Sequence, residues 1–346
     1  MNDLMKRAGN LFDRIVEREN LRLAFCRAAR GKRGRAEVHR FADHLDENLD
    51  QMAELLRRRV FPVGRYHQFV IRDPKERVIT APCFPERVLH HAIINVCESV
   101  FERWLIHDTY ACRIGRGRIA AVLRAAQFAQ CHPFFLKLDI RKYFDSIPHR
   151  SLLGRLTRLF KDQCLLELFE RIVQGFRGDV GRGLPIGSLT SQHFANFYLG
   201  WCDRFVKETL RVEGYVRYMD DIAVWGQSTD ALQSALRHTQ QYLSHELGLT
   251  VKAHPFLNRT THGMDFLGCR VFADHTRLNA RSKSRFRRSM MQLERSYAND
   301  EIDERELQSR AMALIAFTRA AETASWHFRT KVLEQLPVSG RRPRTG

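Results

Sequence analysis

The sequence predicts an α+β fold with an antiparallel sheet, and three observations carry that reading. Apolar residues recur at helical spacing through long stretches near both ends of the chain. The middle runs strand, helix, helix, hairpin, helix, strand, an order that suits an antiparallel sheet backed by helices. With 44% hydrophobic content over 346 residues, there is apolar surface for a sizeable core and more than one subdomain.

In chain order, residues 11–60 are expected to be helical. Phe41, Leu45, Leu49, Met52, Leu55 and Leu56 form one apolar stripe, and the basic link Arg30-Gly-Lys-Arg-Gly-Arg35 separates it from an earlier helix. Strands over 66–72 and 76–80 flank Asp73-Pro74 and predict a basic hairpin. Residues 85–108 return to helix. Residues 134–139 form a buried strand, followed by one helix over 151–174 and a glycine-rich loop over 181–187. A second long helix carries Phe194, Phe197, Tyr198, Trp201 and Phe205 on one stripe and is expected to stop at Gly214. Residues 215–225 give two short strands meeting at Asp220-Asp221. Helix follows over 230–247, an extended piece begins at 250–252, and 266–272 is one further strand. From 283 to 336 the chain is helical and basic, and 339–346 is expected to be a disordered tail.

Lys and Arg number 57 against 39 Asp and Glu, a formal charge of +18. A pI near 10.0 points to a polyanionic partner. The basic residues are spread through apolar and aromatic segments, which favours nucleic acid over a membrane surface. Eight cysteines include no CxxC spacing, so they are expected as reduced thiols, not a disulfide framework or zinc site. No segment has the character of a signal peptide or a transmembrane helix, and a cytoplasmic protein with no membrane contact is expected. GxxxxGKS and HExxH are absent, which removes P-loop NTPase and zinc-protease readings.

Tyr218-Met219-Asp220-Asp221 sets two acids at a tight turn between apolar strands, where like charges repel and a cation is expected between them. Alone, the pair fits an ordinary exposed hairpin tip equally well. Asp139, at the end of another apolar strand, changes the weighting. If the strands lie side by side, three carboxylates converge at one sheet edge. Such hard oxygens suit Mg²⁺, which keeps water and phosphate in its shell. His90 and His91, adjacent on a helix, point in different directions and are not expected to bind metal.

LKLDIRKYFDSIPH around Asp139, GLPIGSLTSQHFANFYL from Gly183 and the Tyr-Met-Asp-Asp turn, in this order and spacing, resemble the reverse transcriptase family. RDPKER, YACRIGRGR and DFLG match its other landmarks, and the resemblance covers residues 15 to 335. Within the family, Ile186-Gly187-Ser188…Ser191-Gln192 resembles the enzymes of diversity-generating retroelements. Most relatives carry Gln-Gly at the first position and end the motif in Ser-Pro. ENLRLAFCRAARGKR and RDPKERVITAPCFPERVLHHAI resemble that group as well.

The resemblance implies a right-hand polymerase: an N-terminal extension and fingers over 1–130, palm over 131–150, a helical insertion over 151–182, palm with primer grip over 183–272, and a helical thumb over 280–338. It implies an RNA-directed DNA polymerase with two Mg²⁺ ions, for which Mn²⁺ substitutes. That enzyme consumes dNTPs on a template RNA with a cDNA primer, and copies template-repeat RNA with errors at adenines (mutagenic retrohoming). A pentameric accessory variability protein is the implied partner.

The implied catalytic residues are Asp139, Asp220 and Asp221, with Ile140 joining them in the metal set. Lys75 and Arg77 would contact the incoming triphosphate, with Arg72 as a further candidate; guanidinium forks suit phosphate oxygens. Phe144 would be the steric gate that rejects a ribose 2′-hydroxyl. Gly187 would let the backbone approach the nascent base pair. Ile186, in place of an amide, would weaken polar fixation of that pair and lower fidelity. Lys252 falls near a lysine that protonates pyrophosphate, and Phe266-Leu267-Gly268 matches the primer grip. Thumb cations such as Lys283, Arg285, Arg287, Arg288, Arg319, Arg329 and Lys331 would meet phosphates, while Phe286, Phe317, Trp326 and Phe328 are expected as helix core. Two alternatives stand beside this reading: a reverse transcriptase of group II intron, retron or phage-defence type, and a catalytically idle RNA-binding scaffold.

Overall fold

The computed structural model describes residues 6–72, 76–176, 178–319 and 322–334. Four helices open the chain: α1 (Phe12–Val16), α2 (Arg18–Ala29), α3 (Ala36–Ala42) and α4 (Leu45–Arg57). Of the expected stripe, α4 buries Leu49, Met52 and Leu56, together with Ala53, and leaves Leu45 and Leu55 half-buried; Phe41 belongs to α3, so the stripe is split between two helices. Strands β1 (Tyr66–Arg72) and β2 (Glu76–Pro82) pair antiparallel from Tyr66↔Pro82 to Arg72↔Glu76. Phe69, Val70, Ile71 and Val78 are exposed along this hairpin. α5 (Phe84–Trp104) is buried on nearly every face, because α2 covers one side and a later helix the other.

α6 (Gly117–Cys131) leads into β3 (Phe134–Asp139), then α7 (Tyr143–Ser146), α8 (His149–Leu156) and α9 (Gln163–Gln174). The single helix expected over 151–174 is therefore two. Asp162 causes the restart: its Oδ1 accepts the Leu165 N–H at 3.2 Å, capping α9, and its Oδ2 accepts the Leu11 and Phe12 N–H groups at 2.8 and 2.9 Å. α10 (Leu189–Arg204) continues as a π-helical turn over Phe205–Thr209. It ends there and not at Gly214, as Arg211 takes a left-handed φ of 52°. Gly214 instead opens the next strand, where a Cβ would lie 2.7 Å from that of Trp225.

β4 (Gly214–Tyr218), β5 (Asp221–Gly226), α11 (Thr229–Leu247) and β6 (Phe256–Arg259) complete the centre. The sheet order is β4-β5-β3-β6, antiparallel throughout. Leu136 and Leu138 face one core and Phe135 faces another, so the sheet is covered on both sides. β7 (Met264–Phe266), β8 (Cys269–Val271) and β9 (Thr276–Leu278) form a second sheet. One strand was expected over 266–272; Leu267 and Gly268, with φ of 49° and 86°, fold it into a hairpin. The last helices, α12 (Ala280–Ala298), α13 (Glu304–Arg319) and α14 (Glu322–Glu334), share a small core of Phe286, Met290 and Val332. Helical fingers with a projecting hairpin, a palm sheet and a helical thumb make this a right-hand fold. Residues 339–346, expected as a tail, lie outside the described residues. Among those described, no helix is long and apolar enough to cross a membrane.

Candidate active site

β3 and β5 run antiparallel with Asp139 directly opposite Asp221, and β4 pairs Tyr218 with the same Asp221. Met219 and Asp220 are the turn between β4 and β5, Met219 at φ 55°. Three acids far apart in sequence thus meet at one sheet edge, each half-buried. Burial pushes the Asp220 carboxyl above the ordinary aspartate range; a hydrogen bond to its own backbone opposes this, and the neighbouring Asp221 and Asp139 charges push the same way as burial.

Two lysines answer the other acids. The Lys252 ammonium bonds Asp139 Oδ2, and the Lys252 N–H donates to the Asp139 carbonyl at 2.8 Å. The pairing of Ile140 with Val251 brings Lys252 there. The sheet edge thus sets Lys252 beside the acids. Lys137, which sequence reasoning missed, lies 3.2 Å from Asp221 Oδ1 and donates to the Asp265 carbonyl at 3.1 Å. Strand alternation was the available signal, since residues 137 and 139 share a face. Its ammonium also stands 5.9 Å from the Phe266 ring, joining the Phe266-Leu267-Gly268 turn to the acid cluster.

Among the described residues no three acid, histidine or cysteine side chains already enclose a cation site. The donors nevertheless suit a hard divalent ion. Asp139 Oδ1 is buried with no hydrogen-bond partner, and Asp220 sits among like charges that a cation would relieve. Ile140 follows directly, its side chain buried.

Behind the turn is an arginine that no local motif announced. Arg217 is fully buried and uses all five of its N–H groups. Nε and Nη2 each meet an Asp203 oxygen at 2.6 Å; Nη1 meets Asn196 Oδ1 and the Met219 carbonyl at 2.9 Å; Nη2 meets the Asn196 carbonyl at 3.0 Å. Burial disfavours its charge, but the Asp203 carboxylate outweighs this and holds its pKa above the ordinary arginine value. Tyr215 and Thr109 hydroxyls donate to the same carboxylate at 2.6 and 2.8 Å.

The loop holding Ile186 and Gly187 lies against the hairpin. Thr80 N–H donates to the Ile186 carbonyl at 2.7 Å. Gly187 has φ 126°, and a Cβ there would lie 2.8 Å from Ile79 Cγ2 and 3.0 Å from the Thr80 carbonyl oxygen. Phe144 is half-buried, its ring 5.7 Å from that of Tyr143, and its carbonyl accepts the Leu184 N–H at 2.9 Å. Arg77 is exposed on β2, and Arg72 pairs with Glu76 at 3.2 Å. Lys75 lies outside the described residues. Gln192 Oε1 stands 3.7 Å from Cys112 Sγ. His90 Nδ1 meets Thr190 Oγ1 at 2.7 Å, and burial lowers the His91 pKa to about 4.

In the thumb, Phe286 is buried with its ring 5.8 Å from that of Phe328 and tilted by 58°, and Lys283 and Arg287 lie over the latter ring. Phe317 is half-buried beneath Arg118 of α6. Trp326, expected in the core, is 53% exposed, because it faces away from Phe286 and Val332.

Comparison with known proteins extends these observations. The sequence model described as "Reverse transcriptase (RNA-dependent DNA polymerase)" matches residues 72–271, more than half of the chain. Nuclear intron maturase 4, mitochondrial, of Arabidopsis thaliana is 29% identical over 171 residues, which cover 47% of this chain and 21% of the relative. Group II intron-encoded protein LtrA of Lactococcus lactis subsp. cremoris is 25% identical over 151 residues, 42% of this chain and 25% of the relative. The chain thus spans about a fifth to a quarter of these relatives' length. A telomerase structure from Candida albicans, in complex with a TWJ fragment of telomeric RNA, aligns with 87% of this chain and 60% of that one, at 11% identity and a TM-score of 0.47. The family match spans the second strand of the hairpin, all three acids, the Ile186-Gly187 loop and the Phe266-Leu267-Gly268 turn, and the chain belongs to the reverse transcriptase family.

Proposed function

We propose that the protein is an RNA-directed DNA polymerase that extends a primer by phosphoryl transfer at Asp139, Asp220 and Asp221. The observation carrying this is the register that sets Asp139 opposite Asp221 with Asp220 in the adjoining turn. Two Mg²⁺ ions, when bound, supply Lewis-acid activation of the primer 3′-hydroxyl and neutralise charge at the phosphate. The three acids hold that pair, with the Ile140 backbone beside them. Arg77, with Lys75, binds the triphosphate, and Phe144 crowds out a 2′-hydroxyl. Lys252 keeps a proton beside the site for the departing pyrophosphate. Phe266, Leu267 and Gly268 steady the primer end. Fingers, palm and thumb are taken in this reading at the boundaries expected from the sequence. Primer extension on an RNA template with Mg²⁺ tests the whole: Asp220→Ala should lower turnover at least about a hundredfold. Equal extension by the variant would leave an RNA-binding scaffold.

Within that activity, we infer the diversity-generating type, supported by Ile186 and Gln192 at positions where most relatives carry Gln and Pro. An aliphatic contact replaces an amide at the nascent base pair, and errors concentrate at template adenines. Ile186→Gln should lower misincorporation at adenines, read by sequencing the cDNA; an unchanged adenine error frequency removes this reading. The intron-encoded type is the second reading, favoured by relatives whose names say intron maturase and group II intron-encoded protein. Uniform, low error across all four template bases selects it. The first reading brings a pentameric accessory protein as partner. Against a surface of net charge +18, a basic partner would dock through acidic patches or bridging RNA. Co-purification with and without ribonuclease separates those routes.

A further inference from the structure

We propose that a buried polar chain, Glu86–His90–Thr190–Ser188, positions Ile186 and Gly187 and thereby sets how strictly the incoming base is selected; this rests on the polymerase reading above.

Glu86 and His90 lie one turn apart on α5 and are both fully buried. The Glu86 carboxylate accepts the Gly64 N–H at 3.0 Å and the Arg65 N–H at 3.1 Å, the two residues that lead into β1. It thus ties α5 to the root of the hairpin. His90 Nε2 stands 3.5 Å from Glu86 Oε1, near enough for charge to be felt but without a hydrogen bond, and His90 Nδ1 meets Thr190 Oγ1 at 2.7 Å. Thr190 Oγ1 in turn lies 3.1 Å from Ser188 Oγ. Ser188 stands at the N-cap of α10 yet makes no side-chain cap bond. Asp162 and Ser228 do cap their helices. The Ser188 hydroxyl is directed sideways into the chain.

Ile186 and Gly187 are therefore fixed on both flanks. On one side the hairpin holds the Ile186 carbonyl through Thr80. On the other, Ser188 and Thr190 bind the start of α10 to α5. Hairpin root and helix start refer to one helix, and Gly187 has no free space beneath Ile79 and Thr80. The two hydroxyl links, Thr190 to His90 and Ser188 to Thr190, are buried, and a hydroxyl left unmet is costly in a low-dielectric interior. Released from this frame, the loop can shift to admit a mismatched pair. His90, Thr190 and Ser188 are positioning residues, not catalytic ones.

Single-nucleotide insertion on RNA templates provides the test. Thr190→Val keeps the shape and removes the hydroxyl. Its ratio of misinsertion to correct kcat/KM should rise about fivefold at all four template bases, the equivalent of one lost hydrogen bond. Thr190→Ser should restore the ratio. A merely structural loss would lower both efficiencies together and leave the ratio unmoved, and that result in folded Thr190→Val overturns the proposal. If Thr190→Val melts below the assay temperature, Ser188→Ala asks the same question with a smaller change and is judged by the same ratio. A wild type that extends no primer refutes the polymerase reading; a wild type that extends, with an unmoved ratio in the variant, refutes this chain alone.

Discussion

Asp220 is the acid that the fold makes least comfortable. Its pKa is raised in the folded state above the ordinary 3.8, so the folded form binds that proton more tightly than the unfolded chain does. The resulting penalty is full at neutral pH, shrinks as pH falls through the raised value, and vanishes below 3.8. In metal-free buffer, Asp220→Asn should therefore melt higher than wild type at neutral pH. The gap between the two melting curves should close as the solution is acidified. Arg217 makes the opposite case. Arg217→Met leaves Asp203 buried without its counter-charge and should cost about 3–5 kcal/mol in denaturant unfolding. Arg217→Lys keeps the charge but cannot bridge Asp203 and the Met219 carbonyl at once, so it should regain stability while turnover stays low. The acids were legible in the sequence because each sits in a short motif at a strand end. Arg217 and Lys137 were not, since their partners Asp203, Asn196, Asp221 and Asp265 come from other elements.

Elements were read correctly where the pattern was uninterrupted, as in the helical period of α11 and the short apolar run of β3. They were misread where one side chain or backbone angle decided the boundary. Asp162 splits the helix expected over 151–174, and paired left-handed residues at Leu267-Gly268 fold the strand expected over 266–272. Gly214, taken as a helix stop, serves the sheet instead by admitting Trp225. Glycine signals both uses equally, and only the neighbouring strand tells them apart. Asp162→Ala removes the α9 cap and the acceptor for two N-terminal amides. It should cost about 2 kcal/mol in urea unfolding, with little change in the rate of nucleotide addition by enzyme that remains folded.

For the molecule as a whole, the charge of +18 was the most general signal and located nothing by itself. Its consequence is a salt dependence. Affinity for a template–primer duplex should fall with a log–log slope near −0.9 per phosphate contact. Arg287→Gln, on the exposed side of α12, should shallow that slope by about one while leaving base selection intact. A slope unchanged by the variant would remove the thumb from the binding face. The antiparallel α+β centre was legible from the order of elements, and the three-part architecture from the motifs that resemble the reverse transcriptase family. The contact of Arg118 with Phe317, which seats α13 against α6, was not, because nothing near either residue records it. The amides of Leu11 and Phe12 wait for a carboxylate some 150 positions later. During synthesis the first helices therefore emerge from the ribosome well before the residue that anchors them. That lobe is left to mature late, dependent on the nascent chain staying soluble until nearly half of it has been made.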